Sequence, residues 1–148
     1  MGYLKLVVKE SLRLHPTAVL IPGQSTTITN VKGYYIPAKT RVLINAWSVH
    51  RDPKQWEKPN EFIPERFLNN PIDYKGQDFK YIPFGSGRRG CPGITFGTAV
   101  VELAIANLLY WFDWKTPGGE DLDMREGHGI TVNRAVPLEL VPISHFSA

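Results

Sequence analysis

Cysteine is the residue type that this sequence most lacks, because Cys91 is the only one in 148 residues. A single thiol excludes an internal disulfide framework and fits a reducing compartment. It also excludes a four-cysteine zinc site or iron–sulfur cluster. The histidines do not supply the missing ligands, since none has the spacing of a metal site, and we interpret them as structural or surface residues. They are His15, His50, His128 and His145.

An excess of charge of one sign is also missing. The chain has 17 Lys and Arg against 14 Asp and Glu, a net charge of +3. No long basic run or basic helix stands out, so the composition does not indicate nucleic-acid binding. The N-terminus has no charged leader followed by an apolar run and a small-residue cleavage site, so we predict no targeting segment here. The length fits one domain.

Long hydrophobic runs are represented only by the stretch from Ile94 to Phe112. A run of this length can cross a membrane. Glu102 lies near its middle, however, and a charge there disfavours a membrane span. Because a helix that is apolar on all sides is equally typical of the interior of a large protein, we predict a long helix that is buried where partners surround it and that exposes a large apolar patch in this chain alone.

The loop from Phe84 to Gly93 has the sequence Phe-Gly-Ser-Gly-Arg-Arg-Gly-Cys-Pro-Gly. Its glycines allow tight turns and close approach to a flat ligand. Pro92 suits the first position of a helix, so we predict that Cys91 lies at a helix N-terminus, where the N–H groups of Gly93 and Ile94 favour a thiolate. A single thiolate beside two arginines is typical of an axial ligand to haem iron, with arginine near the propionates.

Two other interpretations of this loop remain open. Free cysteine is commonly a small buried core residue, so the thiol could be structural. Gly85, Gly87 and Gly90 also satisfy the G-x-G-x-x-G pattern of a dinucleotide-binding module, with Asp113 near the position of a ribose-binding acid. That module needs a buried strand before the loop, and Pro83 argues against one.

The same loop resembles the haem-binding signature of the cytochrome P450 family. All fixed positions of that signature match, at Phe84, Gly87, Arg89, Cys91 and Gly93. The resemblance implies that haem b is the cofactor, that these positions bind it, and that Cys91 is the metal ligand. It implies that Arg89 contacts a propionate and that Phe84 packs beside the sulfur.

A second resemblance involves Glu10, Arg13 and Arg66. Taken alone, Glu10 and Arg13 are three residues apart on a predicted helix, Tyr3–His15, and are typical of an ordinary solvated pair. The string Lys9 to Pro16 resembles the family's Glu-x-x-Arg helix, and Pro64-Glu65-Arg66-Phe67 resembles its Pro-Glu-Arg-Phe motif. The resemblance implies a buried structural network beneath the haem-binding loop. Two arginines with one carboxylate then require further carbonyl acceptors.

Between these motifs the sequence predicts a β region. The predicted strands are Thr26–Thr29, Tyr34–Ile36 and Arg41–Asn45, separated by turns. A C-terminal hairpin is predicted between Gly129–Val132 and Leu138–Val141. In the family, the apolar run after the Glu-x-x-Arg helix and a residue or two of the tail line the substrate pocket. The candidate residues are Ala18, Val19, Leu20, Gly129 and Ile130.

One position departs from the family. Many relatives carry a propionate-binding arginine after the proline that matches Pro22, whereas this chain has Gly23. The cofactor would lose one charge-assisted hydrogen bond, and Arg89 would carry more of that role.

The resemblance implies an α+β fold that is mainly helical, and a single partial domain over residues 1–148. This domain corresponds to the C-terminal, haem-binding part of a plant microsomal-type cytochrome P450. Such an enzyme is a monooxygenase, often of plant secondary metabolism, that inserts one oxygen atom from O2 into a small organic substrate. Its partner is NADPH–cytochrome P450 reductase, and it lies on the cytosolic face of the endoplasmic reticulum membrane.

No segment of this sequence resembles the family's N-terminal membrane anchor, or its distal helix with the acid–alcohol pair. We therefore expect the 148 residues alone to lack monooxygenase activity, and membrane association to depend on the anchor. A truncated, non-enzymatic remnant with weak or no haem binding is the alternative.

Overall fold

The computed structural model describes residues 2–127, 129 and 131–146. Its α-helices are α1 (Gly2–Leu14), α2 (Ala46–Val49) and α3 (Ile94–Trp111), and short 3-10 helices cover Pro64–Phe67 and Gly87–Arg89. Its strands are β1 (Leu20–Gln24), β2 (Thr29–Val31), β3 (Tyr34–Ile36), β4 (Arg41–Asn45), β5 (Phe112–Lys115) and β6 (Val141–Ser144). The architecture is mixed, with helices and two-stranded antiparallel sheets.

Helix α1 ends where the sequence predicts, because Pro16 cannot extend the helix. Its buried residues, Val8, Glu10, Arg13 and Leu14, recur at helical spacing and include two charged side chains. This face packs against the 3-10 helix Pro64–Phe67 and against α3. The helix thus brings the Glu-x-x-Arg motif to the Pro-Glu-Arg-Phe motif.

The β region differs from the prediction in two places. β1, which the sequence analysis did not predict, pairs antiparallel with β4, from Leu20 opposite Asn45 to Gln24 opposite Arg41. A two-stranded sheet has only edges, where proline is tolerated. β2 begins at Thr29 rather than Thr26, because the turn after it sets the register: Gly33 N–H donates to Asn30 Oδ1 at 2.9 Å.

The predicted C-terminal hairpin is wrong. β6 pairs antiparallel with β5, from Phe112 opposite Ser144 to Lys115 opposite Val141. Around the predicted first strand, the described residues form only a bridge between Glu126 and Arg134. The alternating segment Phe112–Lys115 provides a suitable partner instead.

The hydrophobic core is a cluster of three aromatic side chains and one isoleucine: Trp56, Phe67, Tyr81 and Ile72. The Phe67 and Tyr81 rings lie 5.2 Å apart, and the Trp56 and Phe67 rings 5.9 Å apart. Such tilted aromatic pairs gain energy beyond the area they bury. The core therefore lies beside α1 and the segment that leads into the Cys91 loop.

Helix α3 is largely exposed in this chain, which agrees with the apolar patch expected where its partners are missing. Thr98 is its only buried residue, and Phe96 is 77% exposed. A helix that is apolar on all sides needs partners on all sides, and the described residues cover only one side of it. By length and composition alone, α3 also qualifies as a membrane span, a test that core helices of soluble proteins pass too.

Candidate functional site

The Cys91 loop is closed on itself by backbone hydrogen bonds. Cys91 N–H donates to Phe84 O at 2.9 Å, which joins the two ends of the loop. Gly85 N–H donates to Ile82 O at 3.0 Å just before it. Gly85 and Gly87 have φ values of 75° and 64°, which other residues rarely adopt. These glycines therefore allow the chain to form the closed loop without a ligand.

Cys91 is a free, exposed thiol. Its relation to α3 differs from the prediction, because the helix begins at Ile94 with Gly93 as its N-cap. Pro92 therefore precedes the helix, and within the described residues no N–H group donates to the sulfur. A Cβ atom built on Gly93 would lie 3.7 Å from Cys91 Sγ. Gly93 thus leaves space beside the sulfur that a side chain would occupy.

A cleft of about 300 Å³ opens beside the sulfur. It brings together Cys91, Arg89, Phe84 and Ala18, four residues predicted for the site. Its other lining residues are mostly apolar: Leu12, Thr17, Ile21, Pro22, Pro83 and Gly85. The cleft therefore offers one sulfur, one cation and an apolar wall.

The other predicted pocket residues lie elsewhere. Val19 accepts a backbone hydrogen bond from Trp47, and Leu20 is 46% exposed in β1. Gly129 is exposed, and Ile130 lies outside the described residues. The tail still approaches the cleft, because Val132 N–H donates to Thr17 O at 2.9 Å.

A wider polar cleft of about 850 Å³ adjoins the first one and shares Pro22 and Arg89 with it. Gly23, Gln24, Ser25, Thr26, Thr29 and Arg88 complete its lining. A Cβ atom built on Gly23 would meet only Val42 O, at 3.9 Å. The position at which the family resemblance predicts an arginine therefore has room for a side chain here.

The structure brings Glu10, Arg13 and Arg66 into direct contact. Arg13 binds Glu10 with two parallel bonds, Nε to Oε2 at 2.8 Å and Nη2 to Oε1 at 2.9 Å. Arg66 Nε donates to Glu10 Oε1 at 3.0 Å. Glu10 and Arg13 are fully buried, so these bonds replace water for both charges.

Backbone carbonyls satisfy the remaining donors of the two arginines. Arg13 donates to His50 O at 2.7 Å, to Pro59 O at 2.8 Å and to Glu61 O at 3.1 Å. Arg66 Nη1 donates to Glu57 O at 2.8 Å. The Arg13 guanidinium also lies over the Trp56 ring, 5.3 Å from its centre. A buried charged network this complete holds the segment around residues 57–66 to α1.

Comparison with known proteins identifies the family. The cytochrome P450 family model matches residues 1–140. The chain belongs to the cytochrome P450 family. Cytochrome P450 71A1 of Persea americana is 61% identical over 98% of this chain and 30% of its own length. Phenylacetaldehyde oxime monooxygenase CYP71AN24 of Prunus mume is 53% identical over 96% of this chain and 28% of its own. Germacrene A acid 8-beta-hydroxylase of Inula hupehensis is 53% identical over 99% of this chain and 30% of its own.

The chain thus spans about 30% of the length of these cytochrome P450 relatives. They include proteins named as a monooxygenase and a hydroxylase. Family membership implies haem, and among the described residues Cys91 has the chemistry of its ligand: an exposed sulfur on an open cleft with Arg89 beside it. These residues fit the cofactor.

The dinucleotide interpretation lacks its structural context in this P450 chain. Residues 80–83 form no strand, and the sheets of the described part are antiparallel pairs. The G-x-G-x-x-G fingerprint needs a parallel strand directly before the glycines. Asp113, the candidate ribose-binding acid, pairs instead with His145 at 3.1 Å.

His50 is the residue whose importance the sequence did not reveal. It is fully buried, and its Nε2 atom accepts the N–H of Ile82 at 2.9 Å, shortly before the Cys91 loop. Burial lowers the pKa of His50 to about 4. A lone histidine in a turn-forming segment carries no sequence signal for such a contact, because its partner is 32 residues away.

Proposed function

We propose that this chain is the C-terminal, haem-thiolate part of a cytochrome P450 monooxygenase. The observation that carries the proposal is the placement of Cys91, an exposed thiol at the end of a closed loop, on a cleft shared with Arg89. A structural thiol would instead be buried among apolar side chains. The proposal includes residues 1–148 as a single partial domain.

Each motif residue has a role in this proposal. Cys91 ligates the iron, Arg89 binds a haem propionate, and Phe84 forms part of the apolar wall next to the sulfur. Gly87 gives the loop its turn, and Gly93 keeps the space beside the sulfur free. When bound, haem supplies the oxygen chemistry, which thiolate ligation favours.

Glu10, Arg13 and Arg66 have a structural role in this proposal, because all three are occupied with one another and with carbonyl groups. None of them lines the cleft beside Cys91. They fix the segments that flank the aromatic core, and the Cys91 loop follows directly from that core. Substitution of any of these three residues should therefore impair folding rather than the chemistry at Cys91.

The substrate, electron donor and location follow from the family and are part of the same proposal. The substrate is a small organic molecule, and NADPH–cytochrome P450 reductase is the electron donor. The whole enzyme lies on the endoplasmic reticulum membrane with its active site on the cytosolic side. Because a pocket that excludes water needs more walls than this cleft has, we expect no coupled turnover by the 148 residues alone.

A haem titration followed by reduction under carbon monoxide tests the ligand. The chain with haem should give the strongly red-shifted Soret band of a thiolate ligand, and Cys91→Ala should not. His15→Gln is the control, because His15 lines a neighbouring cleft and could otherwise ligate haem. A histidine-type band in the unchanged chain, or the same band in Cys91→Ala, would contradict the proposal.

A chimera separates the ligand assignment from the folding of the chain. Residues 2–146 replace the matching segment of the Persea americana relative, which supplies the remaining elements. The chimera should bind haem through thiolate and turn over with reductase, whereas its Cys91→Ala form should do neither. A folded chimera without the thiolate band would overturn the assignment.

The non-enzymatic remnant remains a second candidate because Gly23 favours weak haem binding. The Gly23 backbone borders open space in the cleft that contains Arg88 and Arg89. Gly23→Arg should tighten haem binding about ten- to a hundredfold, since a charge-assisted hydrogen bond contributes roughly 1.5–3 kcal/mol. Gly23→Leu, which fills the same space without charge, is the control. Undetectable haem binding by the original chain and by Gly23→Arg would favour the remnant.

A further inference from the structure

His50 connects two parts of the chain that the motifs treat separately. It is the C-cap of α2, and no part of its side chain is exposed. Its carbonyl oxygen accepts from Arg13 Nη1 at 2.7 Å. Its ring accepts the Ile82 N–H through Nε2 at 2.9 Å. One residue therefore contacts both the Glu10–Arg13–Arg66 network and the entry to the Cys91 loop.

Hydrogen bonds continue from Ile82 to the thiol-bearing residue. Ile82 O accepts from Gly85 N–H at 3.0 Å, and Phe84 O accepts from Cys91 N–H at 2.9 Å. Ile82 is itself 4% exposed, so water does not replace the bond to His50. The position of Ile82 therefore determines where the closed loop begins.

We propose that His50 is the positioning residue that joins the Glu10–Arg13–Arg66 network to the Cys91 loop, with its Nε2 atom holding the Ile82 amide. The importance of the loop rests on the proposed function, but the positioning role does not require haem. The role requires a lone pair on Nε2 that can accept the N–H of Ile82. This requirement determines both the protonation state and the tautomer of the His50 ring.

The required ring is neutral and carries its proton on Nδ1. Nδ1 is buried and has no hydrogen-bond partner among the described residues. Protonation would place a second N–H at Nε2, facing the N–H of Ile82, so the bond would be lost. In the described part of the chain, three charged or titratable groups face the ring. Arg13 and Arg51 are cations that oppose a positive charge on the ring, and the ring centre of Tyr81 is 5.7 Å away.

Amide hydrogen exchange by mass spectrometry of this chain tests the proposal without cofactor. Two variants differ in one property: His50→Leu removes the acceptor, and His50→Gln keeps an uncharged acceptor near the place of Nε2. His145→Gln is the control for loss of a distant histidine, compared at the reporter peptide only because His145 pairs with Asp113 of β5. The reporter is the peptide containing Ile82, Gly85 and Cys91, and the internal reference is the β5–β6 pair.

At neutral pH, His50→Leu should exchange the reporter amides at least about tenfold faster, because a buried donor loses its acceptor. The β5–β6 reference should not change. His50→Gln should retain most of the protection, and His145→Gln all of it. Between pH 6.5 and 4 the reporter of the unchanged chain should lose protection relative to His50→Gln, because the folded ring stays largely neutral down to about pH 4 and binds a proton more readily when the loop opens.

Three results would overturn the positioning role. The first is equal loss of protection in the reporter and in β5–β6, which indicates general unfolding. The second is a His50→Gln variant that exchanges as fast as His50→Leu, since the acceptor then makes no difference. The third is an unchanged chain whose reporter protection does not fall relative to that of His50→Gln as the pH drops from 6.5 to 4. Failure to bind haem would contradict the proposed function and leave these exchange results unaffected.

Discussion

Helices α1 and α3 differ in a way that their compositions do not suggest. α1 has 13 residues and buries two charged side chains, Glu10 and Arg13, completely. α3 has 18 residues, is mostly apolar, and buries only Thr98. Burial therefore follows from the presence of complementary partners rather than from hydrophobicity. α1 has such partners in the described residues, and α3 has them on one side only.

Two kinds of partner make the burial of α1 possible. Arg13 and Arg66 neutralise Glu10, and carbonyl groups between residues 50 and 61 accept the remaining donors. The Trp56 and Phe67 rings exclude water from the same region. On α3, Phe96, Leu103 and Leu109 are each more than half exposed. An exposed apolar face of this size favours association.

The largest expected effect comes from removing a charge on the α1 side. Arg13→Leu leaves Glu10 buried with one fewer cation and should lower the free energy of unfolding by about 3–5 kcal/mol. Glu61→Gln is the matched control, because Glu61 forms an exposed pair with Lys58 at 3.3 Å and should cost at most about 1 kcal/mol. Urea unfolding measures both. A soluble Arg13→Leu protein with unchanged stability would show that the network is not essential.

Acid should weaken the same region through His50. Its pKa is 6.5 in the unfolded chain and about 4 when folded, so the unfolded state binds more protons between these values. Stability is therefore complete above pH 6.5 and falls as the pH drops to 4, by about 3 kcal/mol. Urea midpoints measured from pH 7 to 4 follow this loss. In His50→Gln the fall of the urea midpoint with decreasing pH should largely disappear. If the midpoint falls equally in both proteins, groups other than His50 cause the loss of stability in acid.

A glycine pair tests how closely the Cys91 loop is supported. Gly76 has φ of 74°, and a Cβ atom there would lie 2.9 Å from Ser86 Cα. Gly119 has φ of 71°, and a Cβ atom there would meet nothing within 4 Å. Both alanine variants bear the left-handed strain of roughly 1–2 kcal/mol. Gly76→Ala should lower the free energy of unfolding by about 1–3 kcal/mol more than Gly119→Ala, because the Cys91 loop must move to make room for the new Cβ atom. Thermal unfolding measures both variants. Equal destabilisation by the two would mean that the loop moves at no cost.

The smallest effect on stability is expected on α3. Phe96→Glu changes a side chain that is 77% exposed, so the free energy of unfolding should change by less than about 0.5 kcal/mol. Self-association should decrease, as seen by sedimentation velocity. Phe96→Leu, which keeps the surface apolar, is the control. A Phe96→Glu protein destabilised by several times that amount would mean that this face is already packed.

The sequence predicted the elements that depend on local patterns. Helix α1 was predicted as Tyr3–His15 and observed as Gly2–Leu14, because helical spacing and Pro16 define it locally. The strands Tyr34–Ile36 and Arg41–Asn45 have the predicted bounds. The contacts among Glu10, Arg13 and Arg66 were predicted from the family motifs. The spacing of Glu10 and Arg13 alone predicts only an ordinary solvated ion pair.

What the sequence missed depends on contacts between distant segments. The pairing of β5 with β6 joins residues about 30 positions apart, and no local pattern distinguishes that partner from the nearer one. His50 resembles a surface histidine until Ile82 and Arg13 are placed against it. The burial of α3 also depends on distant segments, since an apolar pattern shows what a helix can bury and not whether a partner is present.

The bond between Cys91 N–H and Phe84 O has a mechanical consequence. Residues 84–91 form a ring whose ends are joined at 2.9 Å, while α3 starts only at Ile94. Pro92 and Gly93 lie between them as a two-residue joint. A shift or rotation of α3 therefore reaches the sulfur only through that joint, whereas a movement of Ile82 displaces the whole ring. The thiol moves with the chain that precedes it rather than with the helix that follows.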